Sequence, residues 1–89
     1  MISIYSYSQQ TVTGIVSDQS GLPIPGVNII KSGSQIGTVT DFNGEYSIEN
    51  ISKDDVLVFS YIGFSTVEVE VSENFIIDIT LFEDTELLD

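Results

Sequence analysis

Short runs of β-branched residues, cut at close intervals by turn-forming residues, constrain this chain more than any other feature. Ile, Val and Thr number 13, 9 and 7, so they supply 29 of the 89 residues, while Ala is absent. Branched side chains lose rotamer freedom on a helix and pack well on a pleated surface. No segment sustains apolar residues at i, i+3, i+4 and i+7 for long enough to make a helix. Turn signals stand at Asp18-Gln19-Ser20-Gly21, Pro23-Ile24-Pro25-Gly26, Ser32-Gly33-Ser34, Asp41-Phe42-Asn43-Gly44, Lys53-Asp54-Asp55, Ile62-Gly63 and Ser72-Glu73-Asn74. Between them the spacing predicts seven strands, near 11–17, 26–31, 36–40, 45–49, 55–61, 64–71 and 75–82. Short strands at this rhythm predict an all-β antiparallel sandwich or barrel.

Period-2 alternation assigns several faces. In 64–71, Val67, Val69 and Val71 alternate with Thr66, Glu68 and Glu70. In 75–82, Phe75, Ile77, Ile79 and Leu81 oppose Ile76, Asp78 and Thr80. The run Val56-Leu57-Val58-Phe59 does not alternate, which predicts a central strand covered on both faces. Pro23 and Pro25 cannot donate to a ladder, so 22–25 reads as an extended connection or an edge. Asp41 to Gly44 reads as a tight hairpin turn.

Charge narrows the function classes. Fourteen acids against two lysines give a net charge of −12. That charge opposes binding to a phosphate backbone. The absence of His and Cys removes imidazole bases, thiol nucleophiles, disulfides and the usual zinc ligands. No apolar run approaches the roughly 20 residues that a membrane-spanning helix needs. Residues 1–10 carry no charged side chain and read as a leader remnant or a flexible N-terminus. Residues 83–89 hold Glu83, Asp84, Glu86 and Asp89 and read as an acidic linker, able to attract a basic partner. The globular domain is then 11–82.

Candidate catalytic and metal chemistry is thin. Glu68 and Glu70 share a strand face about 7 Å apart, a spacing that suits a carboxylate pair. They lack an apolar pocket to raise one pKa, and read as solubilising residues. Asp41-Phe42-Asn43-Gly44 resembles the start of a calcium loop, but a strand follows where further oxygen ligands would be needed. The Asp54-Asp55 corner is a second weak calcium candidate. Lys31 and Ser32 are sequence neighbours and point to opposite strand faces, against Ser-Lys catalysis. Phe59, Tyr61 and Phe64 around Gly63 read as core packing rather than as a binding platform. No catalytic, cofactor-binding or metal-binding residue is predicted.

The motifs also form an ordered series. Thr13-Gly14-Ile15-Val16-Ser17-Asp18 precedes Gly21-Leu22-Pro23-Ile24-Pro25-Gly26-Val27-Asn28. Gly37-Thr38-Val39-Thr40-Asp41, Asn43-Gly44-Glu45-Tyr46-Ser47-Ile48 and Phe59-Ser60-Tyr61-Ile62-Gly63-Phe64 follow. Over about 11–82 this series resembles the carboxypeptidase regulatory-like (transthyretin-like) domain. The resemblance is strongest to the version at the N-terminus of SusC/RagA-type TonB-dependent outer-membrane transporters of Bacteroidetes. It implies a seven-stranded antiparallel Greek-key β-sandwich. It implies that Gly14 lets two backbones approach, that Pro25-Gly26 shapes a crossing, and that Asp41 and Gly44 close a turn. It implies a non-catalytic docking domain on the periplasmic side of the outer membrane. Its partners would be TonB or another periplasmic protein, and the plug and barrel of the same polypeptide. The alternative is a carbohydrate- or protein-binding sandwich of another secreted or cell-surface protein.

Overall fold

The predicted runs form strands, shortened where backbone groups are taken by the turns. In a computed structural model of the protein, residues 9–84 are described. The strands are β1 (Gln10–Asp18), β2 (Asn28–Lys31), β3 (Gly37–Val39), β4 (Glu45–Ile51), β5 (Val56–Ser60), β6 (Val67–Glu70) and β7 (Ile79–Leu81). β6 starts later than the run from 64 because Phe64 N–H donates to Tyr61 C=O and Ser65 N–H to Phe82 C=O. Those bonds commit 64–66 to a turn and a crossing. No α-helix occurs among the described residues. The leader reading of 1–10 falls mostly on residues outside those described, and the tail beyond Asp84 does so entirely. Glu83 and Asp84 are still tied to the body, through a Phe64–Glu83 bridge and an Asp84 N–H bond to Gly63 C=O.

Two sheets form, ordered β4-β1-β7 and β3-β2-β5-β6. The expected sandwich is present, with one difference in pairing. β1 and β7 run parallel, at Val16–Ile79, Ser17–Thr80 and Asp18–Leu81, while the other pairs are antiparallel. A parallel neighbour needs a long crossover, and residues 19–78, about two thirds of the chain, lie between these two strands. The 41–44 turn differs too. It links β3 to β4, which belong to opposite sheets, so it is a crossing between layers and not a hairpin within one.

The core lies between the layers. Val12, Val16, Tyr46, Ile48, Ile51 and Leu81 from one sheet meet Ile29, Leu57 and Phe59 from the other, with Val71 at the end of β6. Burying each such aliphatic or aromatic side chain contributes roughly 1.5–3 kcal/mol. The Tyr46 ring meets the Phe59 ring edge to face, with centroids 5.5 Å apart, and so joins the layers. Val67, Val69, Phe75, Ile77 and Ile79 pack inward while Glu68, Glu70, Ile76, Asp78 and Thr80 are exposed, as the alternation predicts. β5 is an interior strand, as expected. Its Leu57 and Phe59 are buried, but Val56 and Val58 are only half-buried because no layer covers that outer face.

The closest approach is at Gly14. A Cβ there would lie 1.8 Å from the Ile77 carbonyl oxygen, where real Cβ contacts are essentially never under 3.0 Å. The segment 75–78 is held against β1 by Thr13 N–H to Phe75 C=O (3.0 Å) and Ile77 N–H to Thr13 C=O (2.8 Å). Neither side of the clash is a flexible side chain, so relief requires moving a strand. Gly14→Ala is therefore expected to destabilise the domain by about 3 kcal/mol or more. Urea denaturation measures it, and a loss below about 1 kcal/mol would show that residues 75–78 do not approach β1 at Gly14.

Candidate functional site

Two turns with one geometry shape the end of the sandwich near the site. Asp18 Oδ1 accepts from Ser20 and Leu22 N–H, at 2.8 and 3.0 Å. Asp41 Oδ1 accepts from Asn43 and Glu45 N–H, at 2.9 and 3.0 Å. In each, a glycine three residues after the Asp donates its N–H back to the Asp carbonyl, with φ of 88° at Gly21 and 74° at Gly44. The Asp41 carboxylate is thus held by backbone donors. Thr40, buried between these turns, accepts from Val27 N–H (2.9 Å) and donates to Ile24 C=O (2.6 Å). That fixes the Pro25-Gly26 crossing against the end of β3.

The other singled-out residues do not converge. Glu68 and Glu70 are exposed on β6, an edge strand of the larger sheet. Lys31 Nζ is 3.4 Å from Asp55, whose other contact is the Ser52 N–H (2.8 Å). A cation at the Asp54-Asp55 corner would have to displace that lysine. Ser32 N–H donates to Val56 C=O. Phe59 is buried, and Tyr61 and Phe64 are half-buried against each other, with ring centroids 5.8 Å apart. Among the described residues no three potential metal-ligating side chains cluster, and no helix is long and apolar enough to cross a membrane.

What the fold does assemble is a shallow, open groove of about 670 Å³ over the outer face of β4 and β1. Ile15, Val39 and Ile76 form its apolar floor, exposed at 42, 55 and 66%. Asp41, Glu45 and Asp78 form its rim. The registers Ile15–Glu45 and Thr13–Ser47 bring β4 residues beside β1, and the Thr13–Ile76 bridge brings in the third segment. Asp78 owes its place to the crossing at Gly14. The Ile77 carbonyl accepts from the Tyr46 hydroxyl (2.6 Å), and the Ile15 N–H donates instead to Asp78 Oδ1 (2.9 Å). In an uninterrupted parallel ladder that N–H would find a backbone carbonyl. Burial pushes the Tyr46 phenol well above its ordinary value, and the Asp78 charge adds to this.

The sequence profile of the CarboxypepD_reg-like domain matches residues 12–89. The chain belongs to that family. TonB-dependent receptor P39 of Formosa agariphila is 46% identical over 82 residues, which is 92% of this chain and 8% of that protein. TonB-dependent receptor SusC of Bacteroides thetaiotaomicron is 38% identical over 89 residues, 99% of this chain and 9% of that protein. The chain thus spans less than a tenth of these curated relatives. Among solved structures, a chain of a type II cohesin–X–dockerin complex from Acetivibrio cellulolyticus superposes with a TM-score of 0.68 at 19% identity. That match covers 83% of this chain and 58% of the other, and shows shared fold alone.

In this CarboxypepD_reg-like domain, the Tyr46 hydroxyl is a buried donor that sequence reading passed over. The fold favours its neutral form, so its contribution is complete below the ordinary tyrosine pKa of about 10. It is lost as pH rises beyond that value toward the higher folded one. Tyr46→Phe is expected to cost about 1–3 kcal/mol, because the Ile77 carbonyl is left unpaired. It should also remove part of the alkaline loss of stability. Denaturation of both proteins between neutral pH and pH 11 checks this, and parallel pH curves would contradict it.

Proposed function

We propose that this chain is the non-catalytic N-terminal accessory domain of a SusC-like TonB-dependent outer-membrane receptor. It stands on the periplasmic side and docks a partner, TonB or another periplasmic protein, for the plug and barrel that follow. One observation carries the reading. Receptors 38–46% identical match 92–99% of this chain while it covers only 8–9% of them. A small domain attached to a large importer fits those proportions.

The residues support a binding role over a chemical one. The strand carboxylates Glu68 and Glu70 are exposed, and the turn carboxylates Asp18 and Asp41 are occupied by backbone donors. In this reading residues 1–10 are a leader remnant or flexible N-terminus, whose last residue joins β1, and 83–89 are the acidic linker toward the plug, whose first two residues are bonded to the sandwich. The alternative of a module from another secreted or surface protein has less behind it, since the relatives named above are receptors. The solute is selected elsewhere in the polypeptide.

Deleting residues 11–82 from the gene that encodes this chain should lower solute uptake while the barrel still reaches the outer membrane. Uptake assays with outer-membrane immunoblots measure both. Unchanged uptake at a normal receptor level would overturn the docking role.

A further inference from the structure

The two sheets end in four strands, β4 and β7 in one, β3 and β6 in the other. The β3–β4 side of the sandwich is closed. Thr38 and Val39 line the groove together with Ser47, and the inward side chains of β4, Tyr46, Ile48 and Ile51, are buried. The β6–β7 side is different. There the inward side chains Val67 and Val69 of β6, and Ile77 and Ile79 of the facing segment, are only half-buried. Bonds from Ser65 N–H to Phe82 C=O and from Asp84 N–H to Gly63 C=O close this side at one end. The crossing from the buried Val71 to Phe75, which is bonded to Thr13, closes it at the other. A short apolar window remains between them.

The backbone of β6 opens onto that side. Val71 N–H donates to Asp55 C=O (2.8 Å), toward β5. On the other flank of β5, Ser32 N–H donates to Val56 C=O (2.8 Å), toward β2. Antiparallel pairs alternate between bonded and non-bonded. Both bonds fix the same phase: Val69–Leu57 and Val67–Phe59 are the bonded pairs, and Glu68 and Glu70 turn N–H and C=O away from β5. Among the described residues those outward groups have no partner, since β6 pairs with β5 alone. The side chains of the same two residues are exposed on the outer face. No base balances them. The chain has two lysines, and Lys31 lies beside Asp55, at 3.4 Å, and Lys53 near Glu73, at 3.9 Å.

We infer that the β6 edge, Val67–Glu70, docks a short extended segment of a partner protein in which basic and β-branched residues alternate. This deepens the docking reading and rests on it. The segment adds as an antiparallel strand. Its residues opposite Glu68 and Glu70 exchange both backbone bonds with them and carry Lys or Arg on the outer face. Its intervening residues point inward beside Val67 and Val69 and cover the window. The two carboxylates speed the encounter and set the orientation. The same carboxylates discourage a second copy of this chain from pairing along β6.

The test titrates the acetylated and amidated pentapeptide Val-Lys-Val-Lys-Val into the isotope-labelled 89-residue chain at low salt. Val-Glu-Val-Glu-Val is the charge control. A third peptide carries N-methyl groups on both lysine backbone nitrogens, which keeps the charge and removes the two donors to β6. Amide shifts and hydrogen exchange are the readout. With the first peptide the Glu68 and Glu70 amides should shift and exchange more slowly, an effect that weakens with added salt. The other two peptides should leave them unchanged. Glu70→Lys should reduce affinity about tenfold, with circular dichroism confirming an intact fold. Glu49→Lys, with the same net charge on the other sheet, should leave affinity within about twofold. No shifts at millimolar peptide, equal binding of the N-methylated peptide, or equal losses in the two variants would overturn the β6 site. So would concentration-dependent dimerisation through β6 without peptide. Reduced uptake on domain deletion together with no peptide binding would remove this site and leave the accessory role standing. Peptide binding with unchanged uptake would keep the site and remove that role.

Discussion

One carbonyl oxygen, that of Ile77, occupies the space where a side chain at Gly14 would have to stand. Much of the smaller sheet depends on that contact. The bare Cα lets residues 75–78 close onto β1, and the Tyr46 hydroxyl satisfies the oxygen there. Tyr46 also meets Phe59 across the core, so one side chain fastens the segment leading into β7 to β4 and one layer to the other. The displaced carbonyl leaves the Ile15 N–H to Asp78, which sets a carboxylate on the outer surface. Core and groove are two sides of one local rearrangement.

A chain with 14 acids and two lysines folds against its own repulsion. It manages this by giving several carboxylates backbone partners. Asp18, Asp41, Asp55 and Asp78 each accept at least one N–H bond. Such bonds to an ionised acceptor contribute more than neutral ones, about 1.5–3 kcal/mol each. Surface ion pairs matter less here: Lys53 and Glu73 are well exposed and 3.9 Å apart, a geometry worth at most about 1 kcal/mol.

The strands were legible because alternation and turn residues are local signals. Val67 to Val71 and Phe75 to Leu81 show their faces in the sequence, and the ordered motifs point to Gly14 as a close approach. The parallel pairing of β1 and β7 was not legible, since period 2 tells which face is buried and not which strand is the neighbour. The Asp41 turn reads as a hairpin in the sequence because the same Asp and Gly chemistry closes hairpins and crossings between layers alike. The groove was hidden for a different reason. Ile15 and Ile76 come from distant parts of the chain and meet through the strand pairing, and Val39 reaches the groove from the other sheet. Nothing near Asp78 in the sequence signals that it serves an amide 63 positions away.

Membership of a family found in TonB-dependent receptors and an acid-rimmed groove on the smaller sheet are the observations on which the docking proposal rests. The account turns on the Asp78 substitution in the β1–β7 ladder, and the Ile15 amide reports on it directly. Its amide shifts and hydrogen-exchange rate should be measured by NMR in the native chain and in Asp78→Ala. The predicted result is a large Ile15 shift with faster exchange in the variant, while the Thr13 and Ile77 amides stay protected. An Ile15 amide unchanged by the substitution, as one bonded to a backbone carbonyl would be, contradicts the account.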